Sequence, residues 1–219
     1  MIINLKQITK IVIVLLLILS GCSYDTEKKL CNSLTVTDCF THEEIKDLAK
    51  LLDFFNEQIC VSSGMNKKEI IKCYDSFIER MWKETVEIGG VELKIPYFKQ
   101  QEVYNQISDS LFNQIWIFIK NRKRNETGTL DTLRTIEYRI DGKYVKFLKE
   151  LGKEYELAKN YSETLEIFYN ISPSMYSDIF VIKEYYQYDL NDIRLQLVLA
   201  IHYLTMNDQY QRKEKFYHW

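Results

Sequence analysis

Glycine and proline are scarce in this sequence, with seven Gly and two Pro among 219 residues. Globular chains usually carry roughly 7% and 5% of them, and an all-β sandwich or barrel spends at least that supply on its turns. Such an architecture is disfavoured, and a mostly helical chain is expected. Histidine is scarcer still, with three copies, which leaves little material for acid–base or metal chemistry. A dominant charge is also missing. Twenty-nine basic residues against 31 acidic ones give a net charge of −2, without the basic footprint of a nucleic-acid-binding domain. There is no His-Glu-x-x-His, no Gly-x-Ser-x-Gly, no phosphate-binding loop and no dinucleotide-binding glycine pattern. No internal repeat has a fixed period. What is there in quantity is apolar: 46% of the residues, 14% being aromatic, enough for one sizeable core and incompatible with disorder of the bulk.

One uninterrupted apolar run stands out, Ile11 to Leu19, behind the positive Lys6 and Lys10. At about nine residues it is half the roughly 18–20 that a spanning helix needs, and it reads as the h-region of a signal peptide. The residues that follow, Leu19-Ser20-Gly21-Cys22, resemble the lipobox of bacterial lipoproteins. That resemblance implies that residues 1–21 are removed, that the Cys22 thiol carries a diacylglyceryl group, and that the new amine of Cys22 is acylated. Several acyl chains hold a protein firmly where a single one binds only marginally, so Cys22 would tie the protein to membrane lipid in the bacterial cell envelope. Ser23 stands where an Asp retains enteric lipoproteins in the inner membrane, which by the same resemblance favours the outer membrane. Loss of residues 1–21, with two lysines and no acid, moves the net charge from −2 to about −4. Export also sets nucleic acid aside as a partner.

Four cysteines remain: Cys31, Cys39, Cys60 and Cys73. An even number in an exported domain implies two disulfides, with three possible connectivities. None of the spacings is Cys-x-x-Cys, and only His42 lies near enough in sequence to complete a mixed metal site, so no metal or cofactor is expected. The helical pattern favours one pairing. Thr41 and Glu44 have capping-box spacing, and Ile45, Leu48, Leu52, Phe55 and Ile59 then recur every three or four residues, which predicts an amphipathic helix ending near Cys60. After Ser62-Ser63-Gly64, Asn66 can cap a second helix with the stripe Ile70, Ile71, Tyr74, Phe77, Ile78, Met81 and Trp82. An antiparallel pair of such helices brings Cys60 to Cys73. Cys31–Cys39 would then fasten the end of a tether spanning residues 22–40.

Alternation of Val86, Ile88, Val91, Leu93 and Ile95 around Gly89-Gly90 predicts a small β-hairpin near residues 86–95. Helical spacing resumes from Tyr97 to Lys120 through Val103, Ile107, Leu111, Ile115 and Phe118. The polar stretch 121–129, entered through Lys120 and Arg122-Lys123-Arg124, is the best candidate for an internal boundary, and its charges read as a solvated helix end. A helix from about Asp141 carries Tyr144, Val145, Phe147, Leu148, Leu151, Tyr155 and Ala158 on one face, a shorter one starts near Asn160, and Ser172-Pro173 launches another from Met175 to Tyr188. The last helix, about Asn191 to Gln211, is apolar on nearly every side and is expected at the centre of the core, with His202 as a hydrogen-bonded core histidine. The fold class that follows is all-α: a bundle-like domain over residues 41–219 with one small β-hairpin.

No constellation of residues defines a catalytic centre, so an enzyme is disfavoured and no catalytic residue is assigned. The terminal Phe216, Tyr217 and Trp219, carried just past a charged stretch, are the candidate partner-binding residues, since large rings are enriched at interfaces. Two classes of function follow. The first is a membrane-anchored interaction module, such as an envelope assembly component or a toxin-neutralising protein, with a protein partner that the sequence does not identify. The alternative is a binder of a small molecule or glycan, or an enzyme, with an aromatic pocket between helices. A flat aromatic patch would favour the first and a deep cavity with convergent polar groups the second.

Overall fold

The computed structural model describes residues 21–88, 93–124, 128, 130–168 and 189–214. Among them are nine α-helices and one antiparallel β-hairpin, so the mostly helical class with a small hairpin holds. The helices are α1 (Gly21–Cys31), α2 (Leu34–Thr37), α3 (His42–Ser62), α4 (Ile70–Ile88), α5 (Tyr97–Tyr104), α6 (Asp109–Ile115), α7 (Lys143–Leu151), α8 (Glu156–Phe168) and α9 (Ile193–Gln211), with strands β1 (Trp116–Arg124) and β2 (Leu130–Tyr138) between α6 and α7.

Helix α3 starts where its capping box places it. The Glu44 amide donates to Thr41 Oγ1 at 3.4 Å, and the Thr41 amide donates to Glu44 Oε2 at 2.8 Å. All five stripe residues, Ile45 through Ile59, are buried. Asn66 Oδ1 accepts from the Lys68 amide at 3.0 Å and opens a 3₁₀ turn, Lys67–Glu69, that runs into α4. Tyr74, Phe77, Ile78 and Met81 of α4 are buried, whereas Trp82, at the margin of the stripe, is 47% exposed. Cys60 and Cys73 are joined by a disulfide across the turn, their Cα atoms 4.9 Å apart.

Several expectations are corrected. Residues 25–40 are not a tether: they form α1 and α2, and Leu30, Val36, Cys39 and Phe40 are buried against the body. The apolar positions there fall on two short helices broken at Asn32-Ser33, so no single period runs through them. Cys31 and Cys39 are not bonded to each other. The hairpin lies not at 86–95 but at 116–138, where Trp116 faces Tyr138 and Arg124 faces Leu130 in register. Residues 86–88 finish α4, and 89–92 lie outside the described residues.

The single helix expected from Tyr97 to Lys120 is two helices and a strand. Ser108 breaks it by capping α6, its Oγ accepting from the Leu111 amide at 3.2 Å. The run Trp116-Ile117-Phe118-Ile119, β-branched and aromatic, then takes a pleat. Val103, Ile107, Leu111 and Ile115 are nevertheless buried. Residues 121–124 are strand and pair with 130–133, so the candidate boundary falls between two paired strands, and residues 125–127 and 129 lie outside the described residues. The helix expected from Asp141 to Ala158 is likewise cut at Gly152, which caps α7 and backs onto the α8 backbone at Lys159. The helix expected over 175–188 lies outside the described residues.

Helix α9 is the axis of the core. Leu195 through Asp208 are buried without interruption, and Tyr203 stacks on Phe55 and meets Phe77 edge-on at 4.7 Å. Several of its polar groups are met by the surrounding elements: Trp116 Nε1 donates to Thr205 Oγ1 at 2.7 Å, Gln100 Nε2 to the Leu204 carbonyl at 2.7 Å, and Asn207 Nδ2 to Gln100 Oε1 at 2.8 Å. His202 is fully buried, with Nδ1 2.9 Å from Tyr161 Oη, which in turn donates to Tyr138 Oη. Burial pushes the imidazole down to about 3, so His202 is a neutral core group, as its position in an apolar helix suggested.

Candidate functional site

The C-terminal end of α9 is fastened to the hairpin by a chain of charged contacts. Asp208 is fully buried and takes a bidentate grip from Arg212, whose Nε and Nη2 lie 2.8 and 2.7 Å from its two oxygens, while Tyr97 Oη adds a longer contact at 3.3 Å. Burial pushes the Asp208 carboxyl up against the opposing pull of Arg212. The third guanidinium nitrogen of Arg212 reaches Glu214 at 2.7 Å. Glu214 then meets β2: its carbonyl accepts from the Arg134 amide at 2.8 Å, and its carboxylate pairs with the Arg134 guanidinium at 3.2 Å. Arg134 lies flat on the Phe118 ring, 3.6 Å from its centroid, and Phe118 is half-exposed at the edge of the aromatic row formed with Phe112, Trp116 and Tyr104.

This arrangement holds Glu214 at the outer edge of β2, near the exposed Phe118 ring. The candidate partner residues Phe216, Tyr217 and Trp219 lie outside the described residues, but the residue from which they depart is fixed. The sequence shows the aromatic end and the i,i+4 pair Asp208–Arg212, but not Arg134, which only the packing of β2 brings to Glu214 from 80 residues away. Lys120 and Arg122 stand on the same face of the ribbon as Arg134, by their pairing with Arg134 and Thr132, so the basic cluster expected at a helix end is on a strand instead.

The other predicted site residues are dispersed. Cys22 is in the first turn of α1. Cys60 and Cys73 are consumed by their disulfide at the α3–α4 turn. Cys39 is buried, and burial pushes its thiol up. Cys31 is half-exposed, its sulfur 3.6 Å from His42 Nδ1.

Three surface cavities are large enough for a small ligand. The largest, about 640 Å³, is a groove over Ile140, Val145, Lys146, Lys149 and Glu166. One of about 340 Å³ is lined by Lys50, Asp53, Glu57, Lys67, Lys99 and Glu102, and one of about 250 Å³ lies beside Asp25, Lys29, Asn56 and Gln196. Among the described residues, none of the three is lined by Tyr or Trp. Among the described residues no group of three or more His, Cys, Asp or Glu is arranged to hold a metal ion, and no helix is long and apolar enough to cross a membrane. No family model, no curated protein and no solved structure matches this chain.

Proposed function

We propose that the protein is a lipid-anchored component of the bacterial cell envelope, acylated at Cys22, that holds a protein partner through the surface where its C-terminal end meets the hairpin. The observation that carries the reading is the tetrapeptide Leu19-Ser20-Gly21-Cys22 behind a short apolar run. The Cys60–Cys73 disulfide fits an exported protein. The fold sharpens the consequence of anchoring. Burial begins at Thr26, so a lipid on Cys22 would hold the body directly against the bilayer rather than at the end of a long tether. The outer membrane is the favoured site, from Ser23.

An interaction module is favoured over the small-molecule reading because, among the described residues, no Tyr or Trp side chain lines the cavities described, and Tyr203 and Trp116 are spent on the core. Replacement of Cys22 by Ala tests the anchor: the protein is expected to leave the membrane fraction or to remain unprocessed. A mature, membrane-bound Cys22→Ala protein would overturn it. Removing residues 216–219 tests the surface. Loss of partner retention in cross-linking from intact cells, with the melting temperature unchanged, is the expected result, and a fall of several degrees would show that the rings serve the domain itself.

A further inference from the structure

Helices α1 and α3 bring together three side chains that the proposed anchor does not use. Glu27 and Cys31 are one turn apart on α1 and therefore share a face, and His42, the first residue of α3, sits between them. Cys31 Sγ lies 3.6 Å from His42 Nδ1, and His42 Nε2 lies 3.8 Å from Glu27 Oε1. The imidazole is 64% exposed and the Glu27 side chain 23%, and Cys31 is half-exposed, so solvent reaches the thiol and the ring and a carboxylate backs the ring's far side. Cys31 and Glu27 contact opposite nitrogens of the ring and so cannot close around a common metal ion with it. Sulfur, base and orienting acid in series form instead the geometry of an activated nucleophile. Cys39, the other free thiol, is buried and takes no part.

We propose that Cys31 is a nucleophilic thiol that exchanges with disulfides, with His42 as its base and Glu27 holding the imidazole. The S–H bond of Cys31 breaks and its proton passes to His42 Nδ1. The thiolate attacks one sulfur of an incoming disulfide, a Cys31 S–S bond forms, and the incoming S–S bond breaks. Its other half leaves as a thiolate and recovers the proton from His42. Cys31 is oxidised to the disulfide level as the leaving half is reduced to a thiol, and no further oxidant is needed. The product is a mixed disulfide at the surface near the N-terminal end of the body.

The probe is the aromatic disulfide dithiobis-nitrobenzoate, applied to the detergent-solubilised full chain, with the modified cysteine identified by peptide mapping. An ordinary thiol of pKa near 8.5 is only about 3% ionised at pH 7, which leaves roughly 30-fold as the most that a base can contribute there. Cys31 is expected to react about tenfold faster at pH 7 than the thiols of the urea-unfolded chain, well inside that ceiling. His42→Ala and His42→Gln are both expected to remove the advantage at pH 7 and to match the parent in strongly alkaline buffer, where the thiol ionises unaided. Glu27→Gln should give a smaller loss. Melting curves identify any variant whose fold has changed, and His42→Gln preserves polarity at an exposed position. A parent rate retained in His42→Gln would overturn the proposal. So would a label that maps elsewhere than Cys31, or a Cys31–Cys39 bond in the folded protein.

Discussion

His202 illustrates how a single buried group sets a pH dependence. Its folded pKa is pushed down to about 3 by desolvation, whereas an unfolded histidine titrates near 6.5. Between those values the unfolded chain binds a proton that the folded one refuses, so stability falls as the pH is lowered from about 6.5, by at most about 1.4 kcal/mol per pH unit. Chemical denaturation at pH 7 and pH 5 should show that loss in the parent and a shallower one in His202→Gln. Glu44 acts in the same direction at lower pH. It is buried, accepts from the Thr41 amide and is gripped by Lys143 Nζ at 2.6 Å. Burial works to raise its carboxyl, but these hydrogen bonds outweigh it and hold the carboxyl below its usual range. Its contribution is therefore present above the unfolded carboxylate pKa and is lost as the pH falls through the folded one. Lys143→Met should leave the Glu44 charge without its cation and cost on the order of 2–3 kcal/mol, read from urea midpoints.

At the scale of elements, the parts legible in the sequence are those that local chemistry decides. Thr41 with Glu44, Asn66, and the stripes of α3, α4 and α7 name their own starts and buried faces, and the Cys60–Cys73 bond follows from the α3–α4 turn. Thr41→Ala should accordingly cost about 1 kcal/mol, the usual worth of an N-cap side chain. The hairpin was misplaced because Val86 to Ile95 and Trp116 to Phe118 both satisfy two periods, and tertiary contacts decide between them. Phe118 fits a helical i+3 step from Ile115, yet it packs as a strand residue under Arg134. Gly142 carries a further constraint invisible in sequence. A Cβ there would lie 2.3 Å from the Gln114 carbonyl oxygen, so the start of α7 can approach the end of α6 only without a side chain. Gly142→Ala should destabilise by about 1–3 kcal/mol through overpacking, with no gain to offset it; an unchanged melting temperature would show that the two helix ends separate freely.

At the scale of the molecule, a helix that is apolar on all sides needs a full jacket, and α9 receives one from α3, α5, β2 and α1. That jacket is why residues 25–40 fold into the body: Leu30 and Val36 cover core that would otherwise be wet. The candidate site was legible only in its chemistry. Aromatic residues at the chain end and the i,i+4 pairs Asp208–Arg212 and Glu27–Cys31 can be read directly, but Arg134 reaches Glu214 only because β2 lies against the segment after α9, and His42 reaches Cys31 and Glu27 only through the packing of α3 on α1, which no local pattern encodes. The same compactness places Cys22 within a few residues of the folded surface, so its acylation would fix the orientation of the whole body on a bilayer. Mass spectrometry of the N-terminal peptide of the mature protein tests this most directly. The expected result is a chain beginning at Cys22 with a diacylglyceryl thioether on the sulfur and an acyl group on the amine. An unmodified Cys22, or a mature chain that begins elsewhere, would contradict it.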